Sequence, residues 1–535
     1  MHENSLFFFP QIRRTSSPIL QVGFVGSCGL TIIIKLSRSK GNIMNRKRLV
    51  VSCALLAVFV GAAVVLIPRG GRRPSLHDAA ARPEIESEAL SLQEQTTASA
   101  VGGAESRVIL TATQLSDLGS WSRFRGPNGT GMSDDKNIPT EWSDSKNLLW
   151  KTKLPGAGSS SPVLTDKYVF LTAYSGYGED KGNVGNMAQL KRSLICIQRA
   201  DGKIVWTREV EAVQPEDRYQ GMGVPEHGYA TNSPVTDGQS VFAFFGKSGV
   251  LAYDLEGNQL WKVSVGTESG NRGWGTAASL MLYKNLLIVN AAEESHAIVA
   301  LDKATGKVEW KSEASTLALS YGTPAIVNVN DSRDDLVIAV PGELWGLNPK
   351  SGKLAWFAQT TMTDNLSPSI IVDGKVVYAF GGYRSSGSMA LEVGGKGDVS
   401  KSNVLWTSRN SSYVATPALY DGRLYWIDDK GMYFCVNAKT GELVHRARTP
   451  GIAIGDRPVY ASPIVINGKI YAQTRTSGLY VVEPGNDLKV IAQNKFASDD
   501  SLFNATPAVD GGQLFLRSYK YLYCIGAKAD GSTQP

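Results

Sequence analysis

The chain has 535 residues, with 55 Lys and Arg, 49 Asp and Glu, five histidines and five cysteines. Eleven of the basic residues but one acidic residue fall in residues 1–73, which leaves 44 basic and 48 acidic residues in the rest. The positive charge therefore belongs to the N-terminal segment and gives no indication of nucleic-acid binding by the remainder. The His and Cys residues have no spacing typical of a metal site. They are His2, His77, His227, His296, His445, Cys28, Cys53, Cys196, Cys435 and Cys524.

The N-terminal region contains one stretch long enough to cross a membrane. Residues 1–43 are interpreted as an extension of little regular structure, with Met44 as an alternative start. Residues 49–67 carry no charge, follow three basic residues, and are long enough to span the hydrocarbon core as a helix. We expect residues 44–68 to form a signal-anchor transmembrane helix that leaves the N-terminus in the cytoplasm and sends the rest across. A cleaved signal peptide is the alternative.

Residues 69–119 are rich in Ala, Ser, Glu, Gln and Gly and poor in aromatic residues. Such a composition cannot bury enough apolar surface to order itself, so we predict a disordered linker. Residues 527–535 are predicted to be a C-terminal tail. Between them, residues 120–526 form a repeat region.

The repeat is seen most clearly at residues 300–310, where Asp302, Thr305 and Gly306 predict a tight turn between two strands and the second strand ends at Trp310. Degraded copies recur along the chain. Their outer strands end at Trp206, Trp261, Trp310, Trp356, Trp406, His445 and Ile491. We interpret the tryptophans, with Trp150, as structural anchors that pack one repeat on the next.

A second landmark precedes each hairpin by about 30 residues: a hydroxyl residue followed by proline or alanine. The landmarks are Ser161, Ser233, Thr276, Thr323, Ser367, Thr416, Ser462 and Thr506. After a first interval of 72 residues, their spacings run from 43 to 49. A period near 45, with four short strands in each unit, is typical of a β-propeller.

The number of strands predicts how the ring closes. Eight units begin after Ser161, but seven outer strands follow, and the chain ends soon after the third strand of the last unit. The isolated strand around Trp150 supplies the missing one. We therefore predict an all-β, eight-bladed β-propeller closed by an N-terminal strand, which removes exposed sheet edges. Cys196, Cys435 and Cys524 fall on third strands and are predicted to be small buried side chains.

These hairpins resemble those of the pyrroloquinoline-quinone-like, or quinoprotein-like, propeller repeat proteins across residues 121–526. The opening Trp121-x-x-Phe124-Arg125-Gly126-Pro127 and the ending around Tyr521 to Ile525 are similar to those of exported bacterial BamB-like proteins. The resemblance implies either a binding scaffold or a dehydrogenase that holds the quinone PQQ in its central funnel with calcium, an aspartate and an adjacent-cysteine disulfide. This sequence has no Cys-Cys pair. The resemblance to exported proteins also implies that the propeller lies on the periplasmic side of a bacterial inner membrane.

The two longest insertions, residues 174–193 and 213–229, are expected on the same face of the propeller, where loops on a rigid scaffold usually carry function. Residues just before each inner strand are expected to ring the channel mouth as a recognition funnel; the alternative is that they plug the channel. These candidate ligand- or partner-binding residues are His227, Tyr229, Asn232, Arg272, Trp274, Tyr321, Asp364, Asn365, Tyr413, Tyr460, Asn504 and Arg517.

We therefore predict a monomeric, non-enzymatic, membrane-anchored scaffold outside the cytoplasm that binds an envelope protein or a small ligand, without catalytic residues, metal or cofactor. A PQQ-dependent alcohol or sugar dehydrogenase with calcium is one alternative. A surface sensor or polysaccharide-binding module is another.

Overall fold

The computed structural model describes residues 82–85, 121–383, 385–452, 455 and 457–527. The predicted N-terminal extension, the predicted transmembrane helix over residues 44–68 and most of the predicted linker and C-terminal tail lie outside the described residues. Within the described ranges, none of the helices has both the length and the apolar character needed to span a bilayer.

The described strands form eight sheets of four or five strands, one for each predicted blade. Blades one to three, from the inner strand outward, are β3 Val163–Leu164, β4 Tyr168–Ser175, β5 Lys191–Gln198 and β6 Ile204–Glu211; β7 Val235–Thr236, β8 Ser240–Phe244, β9 Val250–Asp254 and β10 Gln259–Val263; and β11 Met281–Tyr283, β12 Leu286–Ala291, β13 Ala297–Asp302 and β14 Val308–Glu313. Blades four to six are β15 Ala325–Asn330, β16 Arg333–Val340, β17 Glu343–Leu347 and β18 Leu354–Gln359; β19 Ile371–Asp373, β20 Val376–Gly381, β21 Gly387–Glu392 and β23 Val404–Ser408; and β24 Ala418–Tyr420, β25 Arg423–Ile427, β26 Met432–Asn437 and β27 Leu443–Arg448.

Blades seven and eight use strands from both ends of the repeat region. They comprise β28 Ile464–Ile466, β29 Lys469–Gln473, β30 Leu479–Glu483 and β31 Lys489–Asn494; and β32 Ala508–Asp510, β33 Gln513–Arg517 and β34 Tyr521–Ile525, with β2 Leu148–Lys153 as the outer strand. β2 runs antiparallel to β34, and Trp150 lies opposite Cys524. Two short strands pair in parallel with sheet edges: β1 Met132–Ser133 with β28, and β22 Gly397–Asp398 with β18. The predicted all-β, eight-bladed propeller is confirmed.

The blades are held together by apolar layers between neighbouring sheets. One such layer joins blades three and four, where Trp310 packs among buried residues that include Ile338 and Trp345. The Trp310 indole also donates a hydrogen bond from Nε1 to the Pro349 carbonyl at 3.1 Å. Trp150, Trp206, Trp261 and Trp406 likewise donate to a carbonyl oxygen in the hairpin of the following blade. Each indole therefore ties one blade to the next.

A glycine and a small third-strand residue make room for each of these indoles. Gly306 has φ +74°, and a Cβ at this position would lie 2.7 Å from the Trp261 ring. On the third strand, Cys196 lies opposite Trp206 and Cys524 lies opposite Trp150. Cys196, Cys435 and Cys524 are free and buried, which confirms the prediction for these three.

One predicted anchor, Trp356, and one predicted strand end, Ile491, differ in the structure. Trp356 does not reach the next hairpin: its Nε1 donates to the Asp335 carboxylate at 2.6 Å, and its ring covers Gly346 of the same blade. Part of the blade-five hairpin, β22, pairs with β18 and extends blade four. In blade seven, Ala492 rather than Ile491 takes the position opposite the third strand, at Val481.

A closed ring of hydrogen bonds surrounds the axis. In each blade one hydroxyl oxygen accepts the backbone N–H of the corresponding residue in the preceding blade, at 2.9–3.2 Å. We call these eight residues the hydroxyl crown: Ser161, Ser233, Ser279, Thr323, Ser369, Thr416, Ser462 and Thr506. The sequence landmarks Thr276 and Ser367 are not members of the crown; Ser279 and Ser369 take these places.

Residues 121–131 form a strap beneath the crown. Leu164 of blade one donates its N–H to the Trp121 carbonyl, and Val465 of blade seven donates to the Gly131 carbonyl. Between these points, Arg125 is 1% exposed and donates to the carbonyls of Thr416, Pro417 and Pro463. The strap thus joins blade one to blades six and seven.

Four residues of the predicted disordered linker are in contact with blade four. The Glu84 carbonyl accepts the N–H of Leu354 at 2.9 Å, and Ile85 bridges to Leu354 in parallel. The Arg82 guanidinium lies 3.5 Å from the centroid of the Phe357 ring and pairs with the Glu343 carboxylate. These contacts place part of the predicted linker against blade four.

Candidate functional site: the central funnel

The innermost strands surround a cavity of about 150 Å³. All eight crown hydroxyl residues line it, and Phe124 of the strap lines it as well. The direction of the inner strands shows which residues form the floor, the wall and the mouth of the cavity. The strap contacts Leu164 and Val465, each three residues after a crown residue along the chain. The loops that precede the inner strands lie on the other side of the crown. Phe124 is therefore the floor, the crown is the base of the wall, and the loops form the mouth.

The funnel mouth carries aromatic, charged and amide side chains. It consists of Met222, Glu226, His227, Trp274, Tyr321, Tyr413, Arg457, Tyr460 and Asn504. Trp274 and Tyr321 are stacked, with ring centroids 6.4 Å apart. The Arg457 guanidinium lies 5.6 Å from the centroid of the Tyr413 ring. This arrangement offers flat apolar faces next to positive charge.

A short helix from the insertion over residues 213–229 is docked across the mouth. α1 Val224–His227 carries Glu226, whose carboxylate accepts a hydrogen bond from Arg475 Nη1 at 2.8 Å. Asn504 donates to the Glu226 carbonyl, also at 2.8 Å. Burial acts to raise the pKa of Glu226, but the charge and hydrogen bond of Arg475 outweigh it and hold the pKa below its ordinary value. The contacts link blade two to blades seven and eight.

His227 lies beside this pair and is half-buried. Its Nδ1 lies 2.8 Å from the Thr231 hydroxyl, and burial lowers its pKa to about 4. The imidazole is therefore neutral at physiological pH and contributes no charge to the funnel.

Six of the twelve predicted binding residues line the cavity. They are His227, Trp274, Tyr321, Tyr413, Tyr460 and Asn504. Arg272 and Asp364 form an ion pair at the rim, where the Arg272 guanidinium lies 5.1 Å from the centroid of the Trp274 ring. The remaining four are built into the walls: Tyr229, Asn232, Asn365 and Arg517.

These four wall residues have structural partners. Tyr229 donates to the Asp217 carbonyl at 2.6 Å, and Asn232 donates to the Ala278 carbonyl at 2.6 Å. Asn365 donates to the Tyr413 hydroxyl at 2.8 Å. The expectation that Arg517 joins the mouth was wrong: it is 1% exposed and donates to the Ser160 carbonyl behind the crown.

Sequence reasoning missed a buried group of acids beside the mouth. α2 Ala292–Ser295 carries Glu293 and Glu294, each 2% exposed and each with a carboxylate oxygen that has no partner among the described residues. Burial raises the pKa of Glu293 to about 7 and that of Glu294 to about 8. Nearby, Glu216 pairs with buried Arg192. In the sequence, Glu293 and Glu294 lie among small residues and do not recur at the repeat period, so no pattern marked them as buried.

The funnel does not fit the calcium and quinone of the dehydrogenases that the family resemblance implies. Glu226 is the one carboxylate among the described residues of the cavity lining, and it is already paired with Arg475. Calcium in proteins takes six to eight oxygen ligands. No group of three His, Cys, Asp or Glu side chains within the described ranges is placed to hold a metal ion. The three described cysteines lie on third strands, away from the axis.

Comparisons with known proteins agree on the fold. BamB from Moraxella catarrhalis is 13% identical, with a TM-score of 0.50 over 72% of this chain and 99% of that chain. A europium-containing methanol dehydrogenase is 12% identical, with a TM-score of 0.54 over 78% of this chain and all of that chain. No curated protein matches the sequence. The profile of outer membrane protein assembly factor BamB matches residues 132–274, 191–441 and 395–490. The chain therefore belongs to the family of outer membrane protein assembly factor BamB.

Proposed function

We propose that the protein is a non-enzymatic binding scaffold held at the outer side of the inner membrane by residues 49–67, and that it recognises an envelope protein or a ligand at the funnel mouth. The family match and the likeness to a BamB structure support a protein-binding role. We include in this proposal a protein-binding part in outer membrane assembly, as the description of the matching family indicates.

The observation that carries the proposal is the docking of α1 across the ring. The Arg475 side chain is 6% exposed and holds Glu226 from a residue 249 positions away. An insertion fixed in this way is a rigid recognition surface, since little conformational entropy is lost when it binds.

Apolar side chains are exposed at the mouth, at Met222, and beside it, at Tyr383. Met222 is 59% exposed and lies 3.6 Å from Arg457 Nη2, while Tyr383 is 47% exposed and packs against Tyr413. Exposed aromatic, Met and Arg side chains are enriched at protein interfaces. They favour a protein partner that seats apolar side chains in the mouth.

The test is retention of a partner from envelope extract by the immobilised full-length protein. The double variant Met222→Ser and Tyr383→Ser is expected to lose the retained protein. The matched control, Leu443→Ser and Leu260→Ser, removes similarly exposed side chains from outer strands and is expected to retain it. Equal retention by both variants would show that the mouth is not the binding surface. Removing the 174–193 insertion is a poorer test, because Tyr177 packs on Tyr229.

A further inference from the structure

We propose that the hydroxyl crown binds an anionic oxygen group: a free oxyanion, or the carboxylate or phosphate end of a larger ligand. The inference rests on the proposed function in taking the funnel as the binding site, and it specifies the chemistry of what enters it.

Each crown hydroxyl has an unused proton. A Ser or Thr hydroxyl offers one O–H donor and two lone pairs. In every crown residue the oxygen accepts one backbone N–H, as Thr416 does from Ser369 at 2.9 Å. Within the described part of the chain, no protein atom accepts a hydrogen bond from any of the eight hydroxyls.

The free donors face one space. All eight crown residues line the funnel cavity, and each is at least nine-tenths buried. The N–H bonds run around the ring from blade to blade, and each oxygen keeps one further lone pair and a hydroxyl proton that can rotate toward the cavity. A buried donor without an acceptor is costly, so the crown is poised for a group rich in acceptor oxygens.

Positive charge without an acidic partner lies next to the crown. Arg517 donates to Ser160, the neighbour of crown residue Ser161, and its Nε and Nη2 have no partner among the described residues. Arg125 in the strap is held by backbone carbonyls. No ion pair joins either guanidinium to a carboxylate in the described ranges. Burial lowers the pKa of each arginine to about 9, so both remain charged at neutral pH.

The charges of the described cavity lining do not oppose an anion. Glu226 is the acidic residue of the described cavity lining, and it is paired with Arg475 at 2.8 Å and lies 3.6 Å from Lys181. Arg457 adds a further positive charge on the lining. A negative group passing the mouth therefore meets net positive charge and reaches the donors of the crown. Hydrogen bonds from hydroxyls to an anion are shorter and stronger than those to a neutral acceptor.

The test is titration of the full-length protein with sodium phosphate and, separately, sodium acetate at constant ionic strength, followed by calorimetry and by the shift in melting temperature. We expect saturable binding of one anion per chain. Tighter phosphate binding assigns the crown to an oxyanion and tighter acetate binding to a carboxylate; either supports the proposal. No saturable binding of either anion would overturn it.

Two variants assign the binding to the crown. Thr416→Val removes a hydroxyl and is expected to weaken the affinity roughly ten-fold or more, whereas Thr416→Ser keeps the donor and the affinity. Equal affinities for the two would also overturn the proposal.

Thr416→Val also deprives the Ser369 N–H of its acceptor, so the anion-induced shift is measured against the variant's own melting temperature. If that variant does not fold, Arg517→Gln tests the same idea without changing a crown hydroxyl, and it is expected to weaken binding; an unchanged affinity would count against the proposal.

The titration uses the protein and an anion alone. Intact phosphate or acetate binding with no partner retained from envelope extract would therefore contradict the proposed function and leave the crown standing. Retention of a partner without anion binding would contradict the crown proposal and leave the proposed function standing.

Discussion

The backbone N–H of Thr506 donates to the Oγ of Ser161 at 3.1 Å, and this bond joins residues 345 positions apart. The other seven bonds of the crown join residues 44 to 72 positions apart. The ring is thus continuous at its inner rim as well as at the outer edge of blade eight. Because the crown is a closed ring of hydrogen bonds, its eight hydroxyls are held at the same height along the axis. Sheets without these bonds would not hold them so.

Removing one crown acceptor is expected to destabilise the whole ring. Thr506 Oγ1 accepts the N–H of Ser462 at 3.0 Å, and Thr506 is 3% exposed. Thr506→Val leaves that N–H buried and unsatisfied, at a cost of about 1–3 kcal/mol in the free energy of unfolding. Thr506→Ser keeps the acceptor and is the control. Denaturant unfolding measures both; a loss shared equally by the two variants would contradict the role given to the hydroxyl.

The inter-blade tryptophans are expected to carry large packing energies. Trp310→Ala removes an indole that is 8% exposed and its bond to Pro349, and we expect a loss of about 3–5 kcal/mol. Val308→Ala, on the same strand but 45% exposed, is the control and should change stability little. A small effect of Trp310→Ala in thermal or denaturant unfolding would show that the hairpin contact is incidental.

The buried acid Glu294 gives stability a pH dependence with a definite sign. An unfolded glutamate ionises near pH 4.5, whereas burial raises the pKa of Glu294 to about 8 in the fold. Between these values the folded state binds a proton that the unfolded state has lost, so this group makes stability fall as the pH rises, by at most about 1.4 kcal/mol per pH unit. Glu294→Gln removes the ionisation.

We therefore expect Glu294→Gln to melt at a higher temperature than the unaltered protein at pH 8 and at a similar temperature at pH 5. The exposed Glu141, which pairs with Lys146, supplies the control Glu141→Gln, for which no pH-dependent difference is expected at neutral or higher pH. A Glu294→Gln protein that is less stable at pH 8 than at pH 5 by the same margin as the unaltered protein would contradict this assignment.

The ion pair that docks α1 is expected to act in the opposite pH direction. Because Arg475 helps hold the pKa of Glu226 below its ordinary value, the pair stabilises the fold above pH 4.5 and is lost as the pH falls below that. Glu226→Gln removes the carboxylate charge from the ion pair with Arg475 and should lower stability at pH 7 by about 1–3 kcal/mol. Hydrogen exchange of α1 should rise at the same time; unchanged exchange would show that Arg475 does not hold the helix.

Much of the fold could be predicted because its signals are local. The hairpin from Asp302 to Trp310 places a turn, a positive-φ glycine and an anchor within a few residues, and repetition of such units gives the number of blades. The two misplaced landmarks, Thr276 and Ser367, came from requiring proline or alanine after the hydroxyl. Ser279 and Ser369 are followed by leucine and isoleucine. The hydrogen bond of the crown requires only a hydroxyl oxygen, so a pattern that also demanded proline or alanine did not include them.

The site was harder to predict because it depends on residues far apart in the chain. Position before an inner strand was enough to place Tyr321, Tyr413 and Tyr460 in the cavity lining. It was not enough to find Arg475, which reaches Glu226 from another blade, or to show that Arg517 turns inward behind Ser160. The different orientation of Trp356 also depends on a distant partner, Asp335.

The account depends most directly on β2 completing the last sheet, and a disulfide tests this placement. Lys153 lies opposite Tyr521 in the β2–β34 pair, and the Leu154 N–H bonds to the Lys520 carbonyl, so Lys153 and Tyr521 form a non-hydrogen-bonded pair, with Cα atoms about 4.5 Å apart. That separation suits a disulfide.

The measurement is peptide mapping of the oxidised full-length double variant Lys153→Cys and Tyr521→Cys, with Lys153→Cys and Lys489→Cys as the mismatched control. We predict nearly complete cross-linking within one molecule for the first variant, a raised melting temperature, and no such link in the control. Absence of the intramolecular link in the first variant, or equal linking in both, would contradict the closed eight-bladed ring on which the funnel and its hydroxyl crown depend.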